Sequence, residues 1–351
     1  MAVRSDDIPD DADRRSRLLG MKLRALAAEH LGGPLDDMPT GFPDGAAMMV
    51  DDAAWVLVAG AAARSLGGAL AWAVRHGATT LHLVAETDTG SLARRAEHLA
   101  FPVSVWFAQD RLLLRAVTEP LDAPGEPMVE HLGLMDVISA AGAAPNIEHG
   151  VVFGEVRGLE VCRVVDEPTV GHIAELGDVG SFEPPSMTVP DGVLLEVGVG
   201  ANDREAFRML HGDLPTVEAL ASVVDSVVAF RSADAPQHPL NRLGQERYLR
   251  WQLEQDPSLI GMTLIEPAQP PVPRPNLKDP VPCVASGVTV DGRASTVVCS
   301  VGVDLDLVGF VADVQEMNDT PVVVALKQRD VVPITTELLD LLRSPVEVRA
   351  V

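Results

Sequence analysis

The sequence has few aromatic residues and very few lysines. Aromatic side chains make up 4% of the 351 residues, whereas hydrophobic residues as a whole make up 47%. The core is therefore expected to consist mainly of alanine, valine and leucine, and large pockets lined by aromatic rings are not expected. Lysine stands only at positions 22, 278 and 327, so arginine supplies most of the positive charge. The length predicts a globular protein of roughly two or three domains.

Closely spaced cysteines and long apolar segments are also missing. Cys162, Cys283 and Cys299 stand far apart, so the sequence has neither a C-x-x-C pair nor the close ligand pairs of a zinc site. The apolar run AAWVLVAGAAA at 53–63 has 11 residues, whereas a spanning helix needs about 20. The acidic residues at 1–15 do not match a secretory signal. We expect reduced thiols, no membrane segment and a cytoplasmic protein.

Positive charge is scarce relative to negative charge. The chain has 27 lysines and arginines against 51 aspartates and glutamates, a net charge of −24. Long-range repulsion of this size disfavours binding to duplex nucleic acid or to an anionic membrane. An amphipathic helix with a basic side is predicted at 12–31, where Leu19, Leu23 and Leu26 form an apolar stripe. We expect this helix to dock on the acidic body of the protein.

Strand-like and helix-like segments alternate near both ends of the chain. This alternation is typical of parallel sheets, so we predict an α/β fold with two similar β-α-β-α-β (Rossmann-like) units flanking an α/β middle region. The segments 53–117 and 294–351 match in element order and spacing, which indicates an internal duplication. The predicted organisation is a helix and linker at 1–52, a first unit at 53–145, the middle region at 146–266, a Pro-rich connector at 267–282 and a second unit at 283–351.

The middle region contains three glutamates in strand-like surroundings. Glu155 and Glu160 lie in a hairpin-like run at 150–166, and Glu196 lies in the apolar segment VLLEV. Regular alternation places Glu160 on the same strand face as Cys162. A carboxylate on a covered face needs a partner, because burial of an unpaired charge costs several kcal/mol. Oxygen ligands from neighbouring strands could hold Mg²⁺ or Mn²⁺, so these three glutamates are candidate metal ligands.

The glycines that follow the last of these strands do not form a phosphate-binding fingerprint. In VGVGAND the position of the third glycine is taken by Asp203, and an acid there would repel a pyrophosphate. Asn202 or Asp203 is instead predicted to cap the helix that follows.

At 150–230 the order of elements resembles the restriction-endonuclease-like, or PD-(D/E)XK, nuclease fold. In that family one strand carries an acid, the next carries an acid-x-Lys motif, and a helix follows. The resemblance implies that Glu160 and Glu196 take the places of the two acids, as metal ligands. Gly198 stands where the lysine would be, so Arg204 or Lys278 would have to serve as the catalytic cation.

Two function classes follow from these patterns. The first is a non-catalytic binding or assembly protein with duplicated units, in which the glutamates pair with local arginines such as Arg157 and Arg163. The second is a metal-dependent phosphodiesterase or nuclease of degenerate endonuclease-like type. Arginines and aromatic residues interleave at 242–251, which could bind phosphate and stack a base, although an ordinary amphipathic helix is favoured. A homo-oligomer or an unknown protein partner is compatible with the first class.

Overall fold

The computed structural model of the chain describes residues 11–166, 192–200, 203–205, 216–232, 238–274 and 276–351. Described residues from Met1–Asp122, Val303–Val322 and Arg329–Val348 form unit 1. Those from Ala123–Gly302, Val323–Gln328 and Arg349–Val351 form unit 2.

The helices and strands alternate along most of the described chain. The first are α1 (Asp11–Leu31), β1 (Thr40–Phe42), β2 (Gly45–Val50), β3 (Ala53–Val58), α2 (Leu66–Arg75), β4 (Thr80–Ala85), α3 (Thr89–Glu97), β5 (Val103–Gln109) and β6 (Leu112–Arg115). The next are α4 (Val129–Leu132), α5 (Met135–Ala140), β7 (Ala144–Glu148), β8 (Val151–Val156), β9 (Leu159–Asp166), β10 (Val193–Val197), α6 (Thr216–Phe230) and α7 (Gln245–Gln255). The last are β11 (Met262–Ala268), β12 (Cys283–Thr289), β13 (Ala294–Ser300), α8 (Leu307–Met317), β14 (Val322–Leu326), α9 (Pro333–Leu339) and β15 (Glu347–Ala350).

Unit 1 contains a six-stranded sheet in sequential order from β1 to β6. Its central strands β3, β4 and β5 are parallel, as the alternation of strands and helices predicts. The apolar stripe of α1 packs on this sheet, where Leu23 and Leu26 are buried beside Trp55. The predicted amphipathic helix is therefore confirmed, and Lys22 on its polar side pairs with Glu86 at 2.6 Å.

The chain after residue 302 returns to unit 1 with two helices. Helix α8 packs against α2 and α3, and α9 packs against α2 and α8. Helices α8 and α9 belong to unit 1. The segments 323–328 and 349–351 belong to unit 2, so the chain passes between the units several times in this region. The predicted boundaries at 52/53, 145/146 and 282/283 stay predictions.

Unit 2 contains an antiparallel sheet in the order β10-β9-β8-β7. The hairpin predicted at 150–166 is present as β8 and β9. One face of the sheet carries the apolar side chains of Val152, Cys162 and Leu195, which lie in a core with residues of α5 and α6. Burial in this core raises the pKa of the Cys162 thiol to about 12.

A β-bulge in β9 breaks the alternation that the sequence suggests. Glu155 pairs with Glu160 and Gly154 pairs with Cys162, so Val161 is an extra residue in β9. Such an insertion places Glu160 and Cys162 on opposite faces of the sheet. The prediction that these two side chains share a face was therefore wrong, since alternation alone cannot reveal an inserted residue.

A second sheet runs in the order β11-β12-β13-β14-β15. Helix α7 packs on β11, β12 and β13, and its Leu249 and Leu253 are fully buried there. Strand β11 extends into the predicted Pro-rich connector, because Pro267 lies opposite Ala285 of β12. The connector therefore begins after Ala268 in the structure.

The predicted α/β class is confirmed. Part of the segment 53–117, β3-α2-β4-α3-β5, has the same order of elements as β13-α8-β14-α9-β15 in 294–351, whereas β6 of the first segment has no counterpart in the second. A common origin of the two segments stays a prediction. Among the described residues, no helix combines the length and apolar character that crossing a membrane requires.

Candidate functional site

One face of the β10-β9-β8-β7 sheet is charged. Directly paired residues of antiparallel strands project to the same face, as do alternate residues along one strand. Arg163 lies opposite Phe153 and Glu196, and Glu155 lies opposite Glu160. The three glutamates singled out in the sequence thus share one face of three adjacent strands, on the side opposite the apolar core. Their carboxylates nevertheless belong to two separate groups of ion pairs.

The first group is the Glu155 cluster, formed by Glu148, Glu155, Arg247 and Arg250. Arg247 Nη1 donates to Glu155 Oε1 at 2.7 Å, and Arg250 Nη2 donates to Glu155 Oε2. Arg247 Nη2 also donates to Glu148. Both arginines come from α7, three residues apart, so that they lie on the same side of the helix. All four side chains are almost inaccessible to solvent, with the exposed fraction at most 12%.

Electrostatics explain how these charges remain buried. Burial alone raises the pKa of Glu155, but the attraction of Arg250, Arg247 and Arg274 together lowers it below its usual value. Burial lowers the pKa of Arg250, but the combined attraction of Glu155 and its other neighbours, Glu254 and Glu148 among them, raises it above its usual value. Glu155 is therefore ionised and serves as the counter-ion of α7.

The second group is the Arg204 bridge, formed by Glu160, Arg204 and Glu196. Arg204 Nη1 donates to Glu160 Oε1 at 3.0 Å, and its Nε lies 3.3 Å from Glu196 Oε2, an ion pair that lacks hydrogen-bond geometry. Arg163 binds Glu160 through two further hydrogen bonds of 2.9 and 3.0 Å. A single guanidinium group thus lies between the carboxylates of β9 and β10, where the nuclease-like interpretation would place a metal ion.

The local backbone explains why Arg204 reaches this position. Gly198 has φ +136, and a Cβ atom there would approach the backbone nitrogen of Arg204 to 2.8 Å. The missing side chain thus permits a tight turn that brings Arg204 back over the strand. Asp203 accepts a hydrogen bond from the backbone of Val199 at 2.9 Å, which closes the turn. Asn202, the alternative cap, and the predicted helix beyond Glu205 lie outside the described residues.

The charged face borders a pocket of about 800 Å³. Its charged lining includes Glu160, Arg163, Arg204, Arg247, Arg274 and Lys278. Its apolar lining includes Val151, Phe153, Val199, Leu240, Leu243 and Leu277. The pocket therefore combines polar groups with an apolar wall, which is the usual composition of a small-molecule site.

Two features of the surrounding chain shape this pocket. Arg231, which follows α6, donates to the backbone oxygens of Leu240, Leu243 and Gly244 at 2.5–2.9 Å and thereby fixes the apolar wall. Its burial lowers the pKa to about 10. On the other wall, the side chain of Asn276 accepts from the backbone nitrogen of Lys278 at 2.8 Å and shapes the loop.

The predicted site residues do not all meet. Glu160, Glu196 and Arg204 form the bridge, Glu155 lies in the neighbouring cluster, and Lys278 is exposed at the pocket wall. Among the described residues, no group of three or more histidine, cysteine, aspartate or glutamate side chains is arranged to hold a metal ion.

Sequence reasoning missed the partners of Glu155. Arg247 and Arg250 are separated from it by 92 and 95 residues, so no local pattern links them. Their spacing of three residues on one helix was the available signal. Because both guanidinium groups are buried and paired, they are not free to bind a nucleic-acid backbone. Of the predicted local partners, Arg163 does bind Glu160, whereas Arg157 donates to the backbone oxygen of Arg231.

His149 lies in the turn before β8, where it adopts φ +49 and is followed by Gly150 at φ +79. Its Nε2 lies 3.0 Å from the backbone oxygen of Pro270.

Comparison of the chain with protein-family models, curated proteins and solved structures finds no match.

Proposed function

We propose that this chain is a non-catalytic binding protein and that the pocket of unit 2 receives its ligand. The observation that carries the proposal is the Arg204 bridge. Glu160 and Glu196 are the acids that a metal-dependent enzyme of the nuclease-like type would need, and the guanidinium groups of Arg204 and Arg163 together balance their two charges. These two cations leave no net negative charge for a divalent ion to neutralise.

The Glu155 cluster supports the same conclusion. Glu155 is the third candidate ligand, and each of its oxygens accepts a hydrogen bond from a different arginine. A metal ion there would have to displace a buried ion pair, which leaves an uncompensated charge at a cost of several kcal/mol. The acids thus serve to anchor α7 and the turn of Arg204, while the pocket beside them stays available for a ligand.

The alternative is a metal-dependent phosphodiesterase. It is favoured by one observation, that the three glutamates share a sheet face beside a pocket lined by Arg204 and Lys278. In that case a divalent ion would replace the Arg204 guanidinium between Glu160 and Glu196. The two functions therefore differ in their response to metal.

Calorimetric titration with Mn²⁺ separates them. The parent protein is expected to give no heat of binding, and its melting temperature should not change with Mn²⁺. Arg204→Ala exposes two carboxylates to each other and is expected to gain Mn²⁺ affinity. Glu196→Gln is the matched variant: it should be less stable than the parent by about 1–3 kcal/mol, because the buried guanidinium group of Arg204 loses a charged partner, and equally so with and without Mn²⁺. Mn²⁺ binding by the parent that Glu196→Gln abolishes would instead support the phosphodiesterase.

A further inference from the structure

Arg274 differs from the other buried arginines of unit 2. Arg231 donates to backbone oxygens, Arg247 donates to carboxylates, and Arg204 bridges two glutamates. The terminal nitrogens of Arg274, Nη1 and Nη2, are buried as well, yet neither has a hydrogen-bond partner among the described residues. Its guanidinium group therefore has N–H donors at the wall of the pocket that make no hydrogen bond to the described residues.

The surrounding charges do not supply the missing partner. Glu148 and Glu155 attract Arg274 electrostatically, but Arg247 and Arg250 already bind both oxygens of Glu155, and Arg247 binds one oxygen of Glu148. Burial, followed by repulsion from Arg247, lowers the pKa of Arg274 below its usual value. The folded chain thus disfavours this charge, although it keeps the charge in place.

Space has been left for the guanidinium group. Gly244 has φ +49, and a Cβ atom at this position would lie 3.2 Å from Arg274 Nη1. Arg274 lines the pocket together with Lys278, four residues later in the same connector. The apolar side chains of Leu240, Leu243 and Leu277 line it too. A pocket of about 800 Å³ holds a molecule much larger than one inorganic ion.

We infer that Arg274 binds an oxyanion group, phosphate or carboxylate, of a small ligand whose apolar part lies against the leucines. The planar fork of a guanidinium group matches both oxyanions through two parallel hydrogen bonds. The exposed Lys278 adds a further positive charge to the pocket lining. This assignment rests on the proposed binding function and names the ligand class of the same pocket.

Binding is tested by calorimetry at constant ionic strength with phenyl phosphate and benzoate, which carry the two oxyanions on one apolar ring. Benzyl alcohol is the uncharged probe. The parent protein is expected to bind at least one of the two anions at least tenfold more tightly than benzyl alcohol, and the stronger anion identifies the oxyanion class. Arg274→Gln should weaken that binding at least tenfold. Arg242→Gln, which removes an exposed arginine outside the pocket lining, is the matched control and should bind like the parent.

Stability of the ligand-free protein provides an independent measurement. Arg274→Met should leave the melting temperature unchanged or raise it, because a buried charge without a hydrogen-bond partner is removed. Arg247→Met should lower it strongly, since Glu148 and Glu155 lose a partner. Equal anion binding by the parent and Arg274→Gln, no anion binding by the parent, or a markedly lower melting temperature of Arg274→Met would each overturn the inference. None of these results depends on Mn²⁺, so the metal titration tests the non-catalytic function separately.

Discussion

Both units bury arginine and carboxylate side chains, but they use them differently. In unit 1, Asp313 of α8 is 1% exposed and accepts hydrogen bonds from Arg94 and Arg95 of α3, at 3.1 Å from Arg94 and at 2.7 and 2.9 Å from Arg95. This ion pair lies between two packed helices. In unit 2, the Glu155 cluster lies beside a pocket, and Arg274 adds a buried guanidinium group whose terminal nitrogens have no partner among the described residues.

The difference separates structural charge from charge that is available for binding. A buried ion pair whose donors and acceptors match is sufficient to hold two elements in register, and it implies no ligand. A buried cation without a matching acceptor is costly in the free protein, so its retention indicates an external anion. By this criterion Asp313 and Glu155 are structural centres, whereas Arg274 is a binding residue.

The largest expected effect is the loss of either structural centre. Asp313→Asn leaves the guanidinium groups of Arg94 and Arg95 without a carboxylate, and Glu155→Gln removes the carboxylate that Arg247 and Arg250 share. We expect the free energy of unfolding to fall by about 3–5 kcal/mol in both variants. Urea unfolding followed by far-UV circular dichroism measures this change. The matched controls are Asp225→Asn on α6 and Asp340→Asn after α9, which remove exposed acids and should change stability by less than about 0.5 kcal/mol.

The result would break the comparison if only one centre behaved in this way. A tolerated Glu155→Gln would mean that Glu148 and Glu254 suffice as partners of the α7 arginines and that Glu155 is not a structural centre. A tolerated Asp313→Asn would mean the same for the contact of α3 with α8.

A smaller loss of stability is expected from substitution of Gly158, whose missing side chain allows α7 to pack closely against the turn between β8 and β9. Gly158 has φ +70, and a Cβ atom there would overlap the backbone of Arg247. Gly158→Ala combines backbone strain with overpacking, so we expect a loss of about 2–4 kcal/mol. Gly261 has φ +73 with no described atom within 4 Å of the added Cβ, so Gly261→Ala bears the strain alone, about 1 kcal/mol. Thermal unfolding of the two variants isolates the close approach of α7, and equal losses would contradict it.

Much of the fold could be predicted from local patterns in the sequence. The alternation of strands and helices predicted the α/β class, and the apolar stripe through Leu23 and Leu26 predicted the docked helix α1. Strand-like surroundings singled out Glu160 and Glu196, whereas Arg204 entered only through the family resemblance, as an alternative to Lys278. The α/β class, the docked helix and the strand positions of the glutamates depend on neighbours within a few residues, so a single sequence is enough to predict them.

The rest depends on contacts between distant residues. Arg247 meets Glu155 across 92 residues of chain, and no spacing rule connects them. The bulge at Val161 reverses the face of Glu160, which alternation cannot show. Arg274 lies in the segment that the sequence predicts to be a Pro-rich connector. Only the burial of its guanidinium group in the structure indicates a role in binding. Partner choice and burial are properties of tertiary packing.

The smallest expected effect is a difference between the units in how their stability depends on pH in acid. In unit 1, burial, with the nearby charges of His30 and Arg115, lowers the pKa of His82 from 6.5 to about 4. The ring of His82 stacks on Trp55 at 4.1 Å, and its Nδ1 accepts a hydrogen bond from Trp106 Nε1 at 3.0 Å. Because an indole nitrogen only donates, Nδ1 must be unprotonated for this bond to form.

The depressed pKa fixes the sign of the pH dependence. The unfolded chain binds a proton at His82 below pH 6.5, whereas the folded protein resists protonation until about pH 4. Stability from the neutral ring is thus complete above pH 6.5 and is lost as the pH falls to 4. Asp306 of unit 1 has the opposite effect on stability, since burial raises its pKa to about 6 and the folded protein therefore gains stability as the pH falls. A variant at position 82 is needed to separate the two effects.

His82→Gln removes the titrating ring and leaves Asp306 unchanged. The full shift corresponds to about 3 kcal/mol, and because His82 is only partly buried we expect a fraction of it, about 1 kcal/mol. The stability of the parent relative to His82→Gln should therefore fall by this amount between pH 7 and pH 4, with a change in tryptophan fluorescence. In unit 2 the pKa of Glu155 is lowered, so the stability that its carboxylate contributes is lost only below about pH 4.5. A parent and variant that lose stability in parallel would show that His82 does not weaken unit 1 in acid.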